Sequence, residues 1–176
     1  MEQHAVEQHG ETGTTGPGAV VTTGLDVVVT TVASDSHTWN LVFLQLLLEE
    51  LGHRVTNLGA CVPDALLVAE CARLAPGLIV VSSVNGHGFP DGLRVAAALR
   101  ARPELARTPL VIGGKLGIEG TGADARRRAL LAAGFDGVFE EGGSPGAFPA
   151  FLRALAPGGR PPLDGAPVPV VSGARR

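Results

Sequence analysis

The residues best placed to do chemistry in this chain are His37 and Asp35, in the run Ala33-Ser34-Asp35-Ser36-His37-Thr38-Trp39-Asn40. A carboxylate that accepts one imidazole N–H fixes the tautomer and makes the other ring nitrogen a better base or metal ligand. The pair therefore fits either of two chemistries. It could be the base and orienter of a hydrolase, or a metal ligand with its support. A hydrolase also needs a nucleophile, and the chain has no G-x-S-x-G elbow to supply one. Ser82 and Ser83 lie at a strand end without that turn. An acidic phospho-acceptor pocket is missing as well, because the first strand ends without an acidic pair and Lys115 has no such partners. Structural zinc is disfavoured, since His37, His53, His87 and Cys61 lack close paired spacing.

The elements that must position these residues follow from the hydrophobic pattern. Leu25 to Val32 is a continuous β-branched run, as expected of a strand buried on both faces. A helix is predicted over Asn40–Leu51, ended by Gly52, and a strand over Arg54–Leu58. Then come a helix over Pro63–Leu74, a strand over Leu78–Ser82, a helix over Asp91–Arg100 and a strand over Pro109–Ile112. The last elements are a helix over Ala123–Ala133, a strand over Gly137–Phe139 and a helix over Pro145–Leu155. Five strand–helix units imply a doubly wound parallel sheet with right-handed crossovers, flavodoxin-like, in the order 2-1-3-4-5. Residues 1–24 read as a disordered arm and 157–176 as a flexible Pro/Gly-rich tail, leaving 25–156 as the folded domain.

In such sheets ligands bind beyond the carboxyl ends of the strands. Every unusual cluster falls on that edge: Asp35 to Asn40, then Asn57-Leu58-Gly59, then Ser82-Ser83-Val84-Asn85-Gly86-His87-Gly88. Gly113-Gly114-Lys115-Leu116-Gly117 and Glu140-Glu141-Gly142-Gly143 follow. The opposite edge carries ordinary turns. Paired glycine after a buried strand removes side chains where a bulky group could slide in, and Ser82 could donate a hydrogen bond in the same slot. His87 would sit at the rim of such a ligand.

Composition narrows the partners. The formal net charge is −3 and no basic stripe occurs, so nucleic acid is not expected. No apolar run approaches the roughly 20 residues of a spanning helix, and Met1 to Gly18 lacks the order of a signal peptide. Two cysteines, Cys61 and Cys71, make no disulfide framework. A cytoplasmic protein without membrane contact is expected.

These residues carry a recognisable pattern. Asp35-x-His37-x-x-Asn40, then 41 residues, Ser82-x-Val84, then 28 residues and Gly113-Gly114 resembles the cobalamin-binding fingerprint D-x-H-x-x-G … S-x-(L/V) … G-G. The runs Ser34 to His37, Val55-Thr56-Asn57-Leu58-Gly59, Val81 to Val84 and Gly113-Gly114 look like the small stand-alone subunit of glutamate mutase (methylaspartate mutase). Corrinoid methyl-transfer proteins usually place a helical bundle before this domain, whereas about 24 residues precede the first strand here. The departure is Asn40, which stands where the fingerprint has glycine.

The resemblance implies adenosylcobalamin as cofactor, with His37 as lower axial ligand of cobalt and Asp35 accepting its other ring N–H. It also implies that the nucleotide tail lies beside the sheet. Ser82, Ser83 and Val84 would line the tail, with Gly86, Gly113, Gly114 and Lys115-Leu116-Gly117 admitting it. Asn57, Leu58, Gly59 and Gly142 would border its outer end, and Ser34, Ser36 and Thr38 would frame the loop. The implied reaction is L-glutamate to (2S,3S)-3-methylaspartate, with the substrate held by a larger barrel-shaped partner subunit. Two alternatives are a corrinoid carrier or sensor, and a flavodoxin-like interaction domain without cofactor.

Overall fold

A computed structural model of the chain describes residues 24–118 and 122–155. The arm and tail expected at 1–24 and 157–176 lie almost wholly outside the described residues. Five strands, β1 (Asp26–Thr31), β2 (Arg54–Asn57), β3 (Leu78–Ser83), β4 (Leu110–Gly114) and β5 (Gly137–Glu140), form one sheet in the order β2-β1-β3-β4-β5. All four pairings are parallel. The helices are α1 (Trp39–Glu50), α2 (Asp64–Leu74), α3 (Gly88–Arg100), α4 (Ala123–Ala133) and α5 (Ala147–Ala154). This is the doubly wound architecture expected from the sequence.

The core divides by sheet face. Val28, Ile79, Val81, Leu110, Ile112 and Val138 point to a layer shared with α2, α3 and α4. Val27, Val29, Leu78, Val80 and Val111 point the other way, under Leu41 and Leu48 of α1 and Leu152 of α5. The strand period of two drives this division: alternate apolar residues need cover on both faces, so inner strands read as unbroken apolar runs. β2 lies at the edge and alternates instead.

Boundaries differ from expectation in two informative places. β4 runs on through Gly113 and Gly114, because both pair with β3 (Ser82 and Ser83) on one side and β5 (Phe139 and Glu140) on the other. α3 begins at Gly88, three residues before the expected Asp91. Gly88-Phe89-Pro90 make its first turn, where proline loses no helical hydrogen bond. A Cβ on Gly88 would stand 2.7 Å from Leu116 and 2.8 Å from Ser83, so only glycine lets α3 start this close to the sheet.

No helix among the described residues is long and apolar enough to cross a membrane. Cys71 is fully enclosed in the core, and burial pushes its thiol up to about 12, with Glu70 adding to the shift. Cys61 is exposed. An aromatic disulfide reagent should therefore titrate Cys61 rapidly in the native protein and reach Cys71 only in denaturant. Equal native rates for both thiols would contradict this packing.

Candidate functional site

The loop after β1 is built around Asp35, which has no solvent exposure. Its Oδ2 accepts hydrogen bonds from the backbone N–H groups of Val84 and Asn85, in the loop after β3. Its Oδ1 accepts from the backbone N–H of His37 at 3.0 Å and faces His37 Nδ1 at 2.7 Å. The Asp35 carbonyl in turn accepts from Thr31 Oγ1 at 2.7 Å and from the Cys61 N–H at 3.1 Å. One residue thus ties the loops after β1, β2 and β3 together.

Burial pushes the Asp35 carboxyl up, but the hydrogen bonds from Val84 and His37, with the His37 charge, outweigh it. The net effect holds the group below the usual carboxylate range. An ionised Asp35 can only accept, so His37 Nδ1 carries the proton and Nε2 is left for a ligand. The His37 side chain is about half exposed (48%). Imidazole held at one nitrogen and open at the other suits a metal ligand.

A second network supports the first. Ser34 Oγ donates to the half-enclosed Asp91 of α3, and Asn85 Nδ2 donates to the Ser34 carbonyl at 2.9 Å. Asp91 also receives Arg94, which reaches Asp64 of α2 as well. Burial pushes the Asp91 carboxyl up, while Ser34, Arg94 and His87 bring it down, for a net lowering.

Beside this loop, between α1 and α5, a slot of about 220 Å³ opens over the ends of β3 and β4. Trp39, Phe43, Phe139 and Phe148 line it with Val80, Val111, Val84 and the two glycines of β4; Asn40 and Ser82 supply its polar groups. Phe139 packs edge-on against Phe148, ring centroids 5.1 Å apart. Asn40 Nδ2 donates to Ser82 Oγ at 2.7 Å, joining α1 to β3 across the slot. The Asn40 carbonyl oxygen is buried with no partner.

The structure thus brings His37, Asp35, Ser82, Val84, Gly113 and Gly114 to one end of the sheet. Other sequence candidates stand elsewhere. Ser83 points to the α3 face, where its hydroxyl meets Asn85 Oδ1 at 3.0 Å. Leu116 is wholly buried in the core of that same face and cannot line the slot, because the chain after β4 turns back under Phe89. Gly86, Lys115 and Gly117 flank it outside the slot lining, and a Cβ on Gly86 would meet Ile118.

Asn57 is engaged by Gln45 and by the Gly59 N–H, so Asn57, Leu58 and Gly59 form a braced turn beyond the slot. Gly142 is left-handed in the loop after β5. Ser36 and Thr38 are exposed in the His37 loop. His87 is exposed at the start of α3.

Gly114 has a reason of its own: its φ is +97°, and a Cβ would come within 2.2 Å of the Ser83 carbonyl. Packing between strands, not only room for a ligand, demands glycine there.

Sequence reasoning missed Trp39, Phe43, Phe139 and Phe148 as lining residues, and Thr31 and Asn85 as supports. A signal existed for the aromatics. The chain has one Trp and six Phe, and Trp39 and Phe43 remain more than half exposed on an apolar helix.

A parallel α/β domain with a ligand slot at the carboxyl edge of its sheet is the class this geometry defines. The particular family follows from the sequence: residues 25–149 match the B12 binding domain, and the chain belongs to that family. It is 32% identical over 113 residues to the glutamate mutase sigma subunit of Halobacterium salinarum, covering 64% of this chain and 74% of that protein. It is 27% identical over 118 residues to the sigma subunit of Fusobacterium nucleatum, covering 66% and 85%.

Among solved structures, it is similar to a cobalamin-binding protein of Desulfitobacterium hafniense. That likeness has 21% identity and a TM-score of 0.54, covering 65% of this chain and about half (52%) of that one. The chemotaxis response regulator CheY4 of Vibrio cholerae shares the fold at 16% identity and TM-score 0.57, covering 76% and 100%.

The Asp35 contacts carry a testable consequence. Because its carboxyl is lowered by folding, its contribution is present above the ordinary carboxylate pKa and is lost as pH falls through the lower folded value. In Asp35→Asn the amide NH2 must face either the Val84 and Asn85 N–H groups or the His37 donors. Urea unfolding at neutral pH should show a loss of about 1–3 kcal/mol. The gap to wild type should narrow below about pH 4; a gap that stays constant across that range would contradict the ionised hub.

Proposed function

We propose that this chain is the cobalamin-carrying component of an adenosylcobalamin-dependent carbon-skeleton mutase of the glutamate mutase type. The observation that carries the reading is the His37–Asp35 pair standing beside an apolar, glycine-edged slot. The donor set fits a corrinoid: one open imidazole nitrogen for cobalt, and a narrow aromatic-lined recess for a planar tail. The unpartnered Asn40 oxygen in that recess also fits a ligand that brings a polar edge. When bound, adenosylcobalamin supplies radical chemistry, through homolysis of its cobalt–carbon bond.

The residues of this chain would hold and orient. His37 Nε2 is the proposed lower axial ligand, and Asp35 keeps the proton on Nδ1 and raises the basicity of the free nitrogen. The Val84 and Asn85 amides keep Asp35 ionised and still. Trp39, Phe43, Phe139 and Phe148 exclude water from the tail slot.

Substrate recognition is assigned to a larger, barrel-shaped partner subunit. A dicarboxylate such as glutamate calls for free guanidinium groups. The arginines beside this edge are committed: Arg94 to Asp64 and Asp91, Arg126 to Glu140. The sigma-subunit relatives support the same division. Cytoplasmic residence, without membrane or nucleic acid as partner, is part of this proposal.

Two measurements test it. In a cobalamin titration the wild type should take the cofactor with its own base displaced, and reduced Co(II) should show nitrogen coupling from a protein histidine in EPR. His37→Ala should lose that coupling; base-on binding in both proteins would overturn the assignment. The purified chain alone should give no methylaspartate from glutamate and adenosylcobalamin, and should become active only on adding a partner mutase subunit. Turnover by the chain alone would contradict the division of labour.

A further inference from the structure

The residue at position 40 adds something that a glycine there would not. Asn40 is the second residue of α1, only 5% exposed, and it lines the slot. Its Nδ2 is spent on Ser82 Oγ. Ser82 therefore acts as acceptor toward Asn40, which frees its own hydroxyl proton to donate elsewhere. The Asn40 Oδ1 has no partner. The remaining lining is aromatic, aliphatic or glycine. The slot thus presents one unused acceptor, Asn40 Oδ1, beside one available donor, Ser82 O–H.

From this pairing we infer that Asn40 is a specificity-determining residue that selects the base at the end of the corrinoid tail, favouring an aminopurine over dimethylbenzimidazole. The inference rests on the proposed function, because it takes the slot to be the tail site.

The chemistry is complementary on one side only. An adenine edge carries an N–H donor next to a ring-nitrogen acceptor, the arrangement that asparagine amides recognise elsewhere. Its exocyclic amine would give Asn40 Oδ1 its missing donor, and a ring nitrogen would accept from Ser82. Dimethylbenzimidazole displaced from cobalt offers an acceptor nitrogen and two methyl groups. It would satisfy Ser82 but seal Asn40 Oδ1 unpaired in an apolar recess, which is a costly state for a buried carbonyl. Planar stacking against Phe139, Phe148 or Trp39 is open to both bases, so the polar pair decides between them.

The test uses the full chain and three probes: cobalamin, its adenine-tailed analogue, and tail-less cobinamide. Binding is followed by visible absorbance, with EPR of the Co(II) forms. The wild type should bind the adenine-tailed corrinoid about tenfold or more tightly than cobalamin. Asn40→Gly and Asn40→Ala should bring the two affinities together, mainly by improving cobalamin binding. Cobinamide affinity should be the same in all three proteins, which also reports that each variant is folded.

Equal affinities of the wild type for the two tails would overturn the inference. So would a preference that survives both substitutions, or a change in cobinamide binding of the same size. A wild-type preference for cobalamin would overturn it too, and would mean that Nδ2 rather than Oδ1 faces the slot. Each of these leaves the proposed function standing. Failure of all three corrinoids to bind wild type and both variants would bring down that reading and this inference together.

Discussion

Enclosing the Asp35 carboxylate is the constraint on which the site depends. A charge without solvent exposure must be met by donors, or it costs several kcal/mol. Here the donors come from two separate loops, the one after β1 through His37 and the one after β3 through Val84 and Asn85. The charge can be satisfied only when those loops are in register, so its ionisation and their geometry stabilise each other. His37 gains its orientation from that arrangement rather than from its own packing, since half of its side chain faces solvent.

The slot answers a different demand. α1 is apolar nearly all round, and its face toward the sheet is buried through Leu41 and Leu48, while Trp39, Val42, Phe43 and Leu46 stay exposed. α5 is short and packs through Leu152. The space between the two helices is floored by the ends of β3 and β4, where Ser82, Gly113 and Gly114 leave little side-chain volume. Small floor residues under aromatic walls make a recess for a flat group. Only Asn40 and Ser82 give it polarity, and that is why a single amide can govern which flat group it accepts.

The fold was legible because its signals are local. The Val27-Val28-Val29 and Leu78 to Val81 runs announce strands buried on both faces, and Gly52 and Gly134, both left-handed, mark helix ends where no other residue fits easily. The ligand edge could be read from the strand-end clusters and from the topology that places all those ends together. The reach of β4 through Gly113-Gly114 could not, because two glycines after an apolar run look like a turn until the neighbours on both sides supply hydrogen bonds.

The site divides along the same line. The sequence alone determined that His37 and Asp35 lie two residues apart, that Ser82, Val84 and the glycine pair share their edge of the sheet, and that Asn40 departs from the family pattern. These are facts of order and spacing. Only the tertiary structure decided which way each side chain turns. Ser82 faces the slot and Ser83 the opposite layer, because adjacent strand residues point to opposite faces. Leu116 went to the core, and Phe139 and Phe148 came from the far end of the chain to wall the recess. The partners of Asp35 and the unpaired oxygen of Asn40 arise from residues some 40 to 50 positions apart. Local pattern cannot report such meetings, because they exist only once the sheet has brought its strand ends side by side.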